Sequence, residues 1–121
     1  MTERPVEHQS AQVPEHLNRF FVERVHAGDV EGLVALYEPD AVLTFLPGQR
    51  TVGHDAIRRV LGEMVASGFH AEGVGVQPAV VCGDLALTSA VGGGFGPTAE
   101  VARRQPDGTW RWVIDDPRPA P

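Results

Sequence analysis

His26-Ala-Gly-Asp-Val-Glu-Gly-Leu-Val-Ala-Leu-Tyr-Glu-Pro-Asp-Ala-Val-Leu43 is the stretch that decides the fold, because its apolar residues change from helical to strand spacing. Gly28 is typical of a helix C-terminus, and Asp29 directly after it is typical of the N-cap of a second helix. Glu38-Pro39-Asp40 then breaks the helical pattern, and residues 41–46 are predicted to form a strand. The stretch therefore predicts two helices that lead into a sheet.

The first half of the chain is predicted to be mostly helical. The predicted helices cover residues 14–27, 29–37 and 53–68, and each has one apolar face. Tyr37 falls at the end of the second helix. The third helix has the clearest pattern, and its apolar stripe consists of Ile57, Val60, Leu61, Met64 and Val65.

The second half of the chain is predicted to be strands divided by proline and glycine. After a very short strand at 51–52, strands are expected at 70–82, 84–92, 97–105 and 109–115. Short turns join them, so neighbouring strands must pair antiparallel. A strongly twisted sheet packed on helices leaves a cavity between the two layers. We therefore expect the α+β class: about three N-terminal helices on a curved antiparallel or mixed sheet that encloses a pocket.

The length of 121 residues predicts one domain, which we place at residues 13–116. Residues 1–12 are polar and aperiodic and are expected to form a flexible N-terminal arm. Residues 117–121 form a proline-rich tail.

The composition excludes several classes of function. The formal net charge is −6 without any basic stripe, so a nucleic-acid partner is not expected. The chain has no lysine, which excludes Schiff-base chemistry, a pyridoxal-phosphate anchor and a phosphate-binding loop lysine. The five histidines lack metal-ligand spacing, so neither a metal nor another cofactor is predicted.

The predicted cellular location is the cytoplasm. Cys82 is the single cysteine, so an intrachain disulfide is impossible, and a reducing compartment fits. No apolar run approaches the roughly 20 residues of a membrane-spanning helix, and the N-terminus lacks the apolar stretch of a signal peptide. We also expect Cys82 to be buried as a small apolar side chain.

Three motifs, in this order, resemble the cone-fold superfamily of nuclear transport factor 2, ketosteroid isomerase and the SnoaL-like polyketide cyclases. They are the opening stretch at 26–43, Val52-Gly-His-Asp-Ala-Ile57 and Asp107-Gly-Thr-Trp-Arg-Trp-Val-Ile114. The resemblance covers residues 14–116 and implies the cone fold. It does not imply one reaction, because this fold hosts isomerases, cyclases, dehydratases, epoxide hydrolases and proteins without known catalysis.

The resemblance implies that the proton-handling residues of ketosteroid isomerase are replaced. The isomerase's tyrosine donor falls on Phe21, and its general-base aspartate falls on Phe45. Its second donor, a protonated aspartate, falls near Glu100. Phenylalanine can neither give nor take a proton, so the isomerase route is predicted to be absent. The Arg and Asp spacing of the epoxide hydrolases is also missing around Arg103-Arg104.

Glu100 is the first of three candidate catalytic acids. If its side chain points inward, it lies in a pocket beside Phe21 and Phe45, where burial raises its pKa and makes it suitable as a general acid. The alternative is a glutamate on the outer face of an antiparallel strand.

Asp115 and Asp116 are the other two candidate catalytic acids. One of them must face inward, because side chains alternate along a strand. Either can act as an acid or base, or can instead form a surface ion pair with Arg103 or Arg104.

The pocket is predicted to bind a flat or cyclic apolar organic molecule. Its predicted ligand-binding residues are Phe21, Tyr37, Phe45, Leu87, Ser89 and Val91. Two functions remain open. The first is an acid–base enzyme that isomerises, cyclises, dehydrates or hydrolyses a polyketide-like or steroid-like substrate. The second is a non-catalytic ligand-binding or dimeric assembly module, which the two phenylalanine replacements favour.

The resemblance also implies a homodimer formed through the outer face of the sheet. Trp110 and Trp112 are two residues apart and so share one face of their strand. They are predicted to be buried or to contact the second copy.

Overall fold

The computed structural model describes residues 8–45, 49–92 and 97–116. Its three helices are α1 (Glu15–His26), α2 (Val30–Val34) and α3 (His54–Ala66). Between α1 and α2, Gly28 adopts a φ of 66°, which only glycine adopts at no cost. Asp29 accepts a hydrogen bond from the Gly32 N–H at 3.0 Å, as an N-cap residue does. The three predicted helices are confirmed, although each is shorter than predicted.

The second helix ends early because Tyr37 begins a strand instead. Strand β1 (Tyr37–Leu43) pairs in parallel with the last strand of the chain, Trp110–Asp116, and the Trp112 N–H donates to the Leu36 carbonyl at 2.8 Å. Pro39 has no N–H to donate, and the pairing is irregular between Tyr37 and Val42. The helical placement of Tyr37 and the strand start at residue 41 are therefore wrong. The predicted end of this strand, at residues 46–48, lies outside the described residues.

The remaining strands follow in chain order. They are β2 (Thr51–Val52), β3 (Gly75–Val76), β4 (Val80–Cys82), β5 (Leu85–Thr88), β6 (Ala90–Val91), β7 (Ala99–Arg104) and β8 (Trp110–Asp116). The main sheet has the order β2-β1-β8-β7-β5-β4, and β3 pairs with β6 in a separate two-stranded sheet. Only the β1–β8 pair among these is parallel. The predicted α+β fold with a mixed, largely antiparallel sheet is confirmed.

Two of the predicted strands are broken. The strand expected over 70–82 contains only β3 and β4, because Gly73 has a φ of 74° and Pro78 cannot donate to a ladder. The strand expected over 84–92 is divided at Ser89 into β5 and β6. The glycine-rich connection at 93–96 lies outside the described residues.

The core lies between the helices and the inner face of the main sheet. Its largest fully buried side chains include Trp112 and Tyr37 from the sheet and Leu17, Ile57 and Leu61 from the helices. Such burial contributes about 1.5–3 kcal/mol for each large apolar side chain. No helix in the described ranges is long and apolar enough to cross a membrane.

Residues 8–12, the described part of the predicted arm, contact the domain. Ala11 is buried and forms an isolated bridge with Trp110, whose N–H donates to the Ala11 carbonyl at 2.9 Å. Arg24 is also buried, and its guanidinium donates to the Gln9 carbonyl at 2.6 Å and the Gly32 carbonyl at 2.7 Å. The flexibility of the arm stays a prediction. Residues 1–7 and the tail at 117–121 lie outside the described residues.

Two further expectations concern side chains near the sheet surface. Trp110 and Trp112 are both buried within this chain, so they cannot be the contacts of a dimer formed through the outer face. Cys82 is exposed, and the prediction of a buried thiol is wrong. It ends the edge strand β4, where Val80 and Val81 are exposed as well.

Candidate active site

A cavity lies between α1, α3 and the inner face of the sheet, and we call it the inner cavity. About 60 Å³ of it is available to the centre of a water molecule. Most of its wall is apolar and comes from Phe21, Phe45, Leu61, Met64, Phe69 and Trp112. The polar side chains that reach it are Asn18, Tyr37, Thr98, Glu100 and Asp115. No arginine or histidine is among the described residues that line it.

Asp115 is positioned on β8 by the tyrosine that begins β1. The Tyr37 hydroxyl donates to Asp115 Oδ2 at 2.6 Å, and both side chains are buried. Burial, with the negative charge of Glu100 as the next cause, raises the pKa of Asp115 to about 8. The hydrogen bond from Tyr37 opposes this rise only in part. Burial and the neighbouring Asp115 also raise the pKa of the Tyr37 hydroxyl, so Tyr37 remains a donor.

Glu100 lies on β7 directly opposite Asp115, and it is held by neutral donors. Asn18 Nδ2 donates to Glu100 Oε1 at 2.9 Å, and Thr88 Oγ1 donates to the same oxygen at 2.7 Å. The Thr88 hydroxyl accepts from Trp112 Nε1 at 3.0 Å, so its own proton is available to Glu100. These contacts orient the carboxylate.

The two acids differ in how well their charged forms are stabilised. Burial raises the pKa of Glu100, but hydrogen bonds from Thr98, Thr88 and Asn18 oppose that rise. For Asp115, the hydrogen bond from Tyr37 stabilises the charged form, and the negative charges of Glu100 and Asp116 destabilise it. Two interacting acids whose surroundings differ in this way divide into a base and an acid. The hydrogen bonds to Glu100 thus favour its charged form, whereas burial and the neighbouring negative charges favour the protonated form of Asp115.

Asp116 points away from the inner cavity. Its Oδ1 accepts from Thr44 Oγ1 at 3.0 Å, and it is not among the residues that line the inner cavity. The surface ion pair considered for Asp115 is wrong, because Asp115 is buried against Tyr37. The two arginines have other partners: Arg103 pairs with Glu38 and Arg104 with Asp84.

The predicted ligand-binding residues divide into two groups of three. Phe21, Tyr37 and Phe45 line the inner cavity. Leu87 and Val91 point outward and are 48% and 44% exposed, and Ser89 does not reach the inner cavity. The placement of Leu87, Ser89 and Val91 in the wall is therefore wrong. The reason is strand alternation, which turns Thr88 and Ala90 inward instead.

Asn18 and Thr88 are site residues that were not predicted. Asn18 precedes Phe21 by three residues and Val22 by four, so it lies on the cavity face of α1. A lone amide on an otherwise apolar helix face is a sequence signal for a buried polar contact. Thr88 has the same kind of signal, because it interrupts the apolar run of β5 and β6.

No group of three or more metal-ligating side chains occurs in the described part of the chain. Asp115 and Glu100, the two buried acids, already have hydrogen-bond partners from this chain. Paired carboxyl groups in an apolar surrounding are able to transfer protons.

The sequence profile that describes the SnoaL-like domain family matches residues 17–118 of this chain. That range includes every element from α1 to β8 except the first residues of α1. The chain therefore belongs to the SnoaL-like domain family. No curated protein matches the sequence.

Solved structures of low sequence identity share the fold. An NTF2-like protein with a cystatin-like fold from Novosphingobium aromaticivorans is 24% identical, with a TM-score of 0.62 over 84% of this chain and 75% of that one. A protein of Streptomyces avermitilis, provisionally named a dehydratase of the NTF2-like family, is 23% identical, with a TM-score of 0.62 over 87% of this chain and 93% of that one.

A third similar structure is the ketosteroid isomerase-like protein of Erwinia carotovora atroseptica. It is 20% identical, with a TM-score of 0.60 over 84% of this chain and 88% of that one. At these identities the similarity shows the fold and not the reaction.

Proposed function

We propose that this protein is an acid–base enzyme that moves a proton on an uncharged, largely apolar carbonyl compound. The observation that carries the proposal is the pair of acids Glu100 and Asp115. They are register partners on the neighbouring strands β7 and β8, and both line the inner cavity. A site that keeps one acid charged and its neighbour protonated can take one proton and supply another in the same step.

In the proposed reaction, the Glu100 carboxylate removes a proton from the carbon next to the substrate carbonyl. The electrons of the broken C–H bond form a carbon–carbon double bond, and the carbonyl oxygen receives the proton of Asp115. The products of this step are an enol, a protonated Glu100 and an Asp115 carboxylate that accepts from Tyr37. Return of a proton from Glu100 to another carbon of the enol system, with the enol proton going back to Asp115, completes an isomerisation. Attack of the enol on a second carbonyl, whose oxygen takes the Glu100 proton, gives cyclisation. Loss of a hydroxyl on the next carbon as water, with the Glu100 proton, gives dehydration.

The lining of the inner cavity favours an uncharged substrate. Three phenylalanines and Met64 contact it, and no cationic side chain of the described residues can pair with an anionic group. An anion placed beside the charged Glu100 would be buried without compensation.

Deuterium exchange into cyclohexanone, a neutral ketone with a single ring, tests the proposal without knowledge of the natural substrate. We expect the protein to accelerate exchange at the carbons next to the carbonyl, measured by proton NMR in heavy water. Glu100→Gln and Asp115→Asn should each reduce the accelerated rate by about a hundredfold or more. Asp40→Asn, a change at an exposed residue of β1, is the matched control.

An unchanged rate in both acid variants would contradict the proposal. The non-catalytic alternative predicts that the wild-type protein binds the ketone but does not accelerate exchange at all.

We also propose that a second copy of this chain covers the outer face of the sheet. One apolar residue from each strand of the main sheet forms a row on this face, which we call the apolar row. Its members are Val52, Val42, Ile114, Val101, Leu87 and Val80, and each is the register partner of the next.

The length of the apolar row matches the width of a standard dimer interface. Strands lie about 4.8 Å apart, so a row across six strands is roughly 24 Å long. A standard interface buries about 800 Å² of each partner, which corresponds to a patch of similar width. Four of the six residues, Val52, Ile114, Leu87 and Val80, are each at least 45% exposed in this single chain. A twofold axis through the row would bury the same residues on both copies.

A further inference from the structure

The inner cavity is too small to enclose a multi-ring substrate. Its volume of about 60 Å³ lies far below the roughly 300–1,000 Å³ of pockets that bury whole organic ligands. A substrate of the proposed kind must therefore extend beyond it, and the direction of that extension can be determined from the neighbouring surface.

A groove adjoins the inner cavity, and we call it the outer groove. Its lining residues are Phe45, Val60, Glu63, Met64, Ser67 and Phe69. Val60, Glu63, Met64 and Ser67 are three, four and seven positions apart, so they form one stripe along α3. The space in it that is available to the centre of a water molecule is about 190 Å³.

Three side chains form the boundary between the two spaces. Phe45, Met64 and Phe69 line both the inner cavity and the outer groove. All three are apolar, and methionine is the least rigid of the large apolar side chains. A change in the Met64 rotamer is a low-cost route to joining the two spaces.

The polar atoms of the outer groove are already arranged around α3. The Ser67 hydroxyl donates to the Met64 carbonyl at 2.7 Å, which leaves it no second proton to offer a ligand. The Glu63 carboxylate is exposed at the rim and would repel an anionic group. The remaining surface is apolar and suits an uncharged hydrocarbon segment.

We infer that the substrate is an elongated molecule, with its carbonyl end in the inner cavity beside Asp115 and an uncharged apolar tail in the outer groove. This inference rests on the proposed function for the orientation of the carbonyl end. The tail is placed by the shared boundary of Phe45, Met64 and Phe69. Activity on carbonyl compounds should therefore increase with the length of an apolar substituent opposite the carbonyl.

Binding of three para-alkyl acetophenones, with methyl, butyl and hexyl tails, tests the inference by titration calorimetry. For the wild-type protein we expect Kd to fall about fourfold for each methylene that the groove buries. Val60→Trp fills the groove and should abolish this dependence while leaving the Kd of the methyl compound unchanged. Val13→Trp is the matched control, because Val13 is exposed and belongs to neither space.

The binding results are separable from those of the exchange experiment. Binding of the methyl compound with no effect of tail length, or a tail effect that survives Val60→Trp, overturns the elongated substrate and leaves the proposed reaction intact. Failure of all three compounds to bind overturns the elongated substrate as well. A tail effect that Val60→Trp abolishes supports it, even if no exchange is catalysed and the proposed reaction is wrong.

Discussion

Glu100 and Asp115 are register partners on β7 and β8, and both carboxyl groups are buried on the inner face of the sheet. Directly opposed like charges destabilise a strand pair, so the folded protein gains by keeping a proton on one of them. The distribution of donors selects Asp115 for that proton, because Glu100 has the three neutral partners Asn18, Thr88 and Thr98. The pairing of the two strands thus gives the two carboxyl groups different surroundings, on which the proposed division into acid and base rests.

Replacement of Tyr37 by phenylalanine should raise the pKa of Asp115 further, above its value of about 8. The Tyr37 hydroxyl donates to the carboxylate at 2.6 Å and favours its charged form, so removing that hydrogen bond favours the protonated form. Carbon NMR of protein labelled at the aspartate carboxyl carbons would follow the titration directly. A pKa that falls in Tyr37→Phe would contradict the assignment of Tyr37 as donor.

The buried acid should make the protein less stable as the pH rises from about 4 to 8. Asp115 keeps its proton up to a pH of about 8 when folded, whereas an unfolded aspartate loses it near a pKa of about 3.9. Between these values the folded state binds more protons, so the free energy of unfolding decreases with increasing pH. The slope is at most about 1.4 kcal/mol per pH unit for one group.

Urea unfolding at a series of pH values measures this dependence. Asp115→Asn removes the titrating group and should flatten the curve, so its stability relative to the wild-type protein rises as the pH rises. Asp40→Asn changes an exposed carboxyl of β1 and should leave the slope unchanged. A wild-type curve with the same slope as that of Asp115→Asn would exclude a protonated Asp115.

The local sequence pattern predicted the order of the elements, and two of its three candidate acids, Glu100 and Asp115, line the inner cavity while Asp116 does not. It did not predict everywhere which face of the sheet a strand residue occupies. The β5–β6 segment, Leu85-Ala-Leu-Thr-Ser-Ala-Val91, has apolar residues on both faces, so its sequence alone fits either orientation. The register that pairs Thr88 with Glu100 decides the orientation, and register is a property of two strands. Leu87 and Val91 were therefore placed on the wrong face.

Tyr37 was misplaced for a related reason. It lies three and four residues after Val34 and Leu33, so its spacing continues the apolar face of the second helix. What ends the helix is the parallel pairing with β8, a contact more than 70 residues away along the chain. The same contact brings the Tyr37 hydroxyl to Asp115. The hydrogen bond between these two residues therefore could not be predicted from the sequence near either of them.

Thr88→Val should destabilise the fold by about 1–3 kcal/mol, although the two side chains have nearly the same shape. Thr88 is 1% exposed, and its hydroxyl joins Trp112 Nε1 to Glu100 Oε1. Valine leaves a buried donor and a buried acceptor without that partner. It should also raise the pKa of Glu100 further, because a hydrogen bond to its charged form is lost.

The matched control for this change is Thr88→Ser, which keeps the hydroxyl and should recover most of the lost stability. Urea unfolding of the three proteins at pH 7 makes the comparison. Equal stability of Thr88→Val and the wild-type protein would show that the hydroxyl does not support the site.

Leu87→Asp should convert a dimer into a monomer. Leu87 is in the middle of the apolar row between Val101 and Val80, and a twofold contact across this row would bury two like charges against each other. Val13→Asp adds the same charge at an exposed residue outside the row and should leave the dimer intact. Size-exclusion chromatography with light scattering distinguishes the two states. A wild-type protein that is already a monomer at micromolar concentration would leave the apolar row without its proposed partner and refute the dimer.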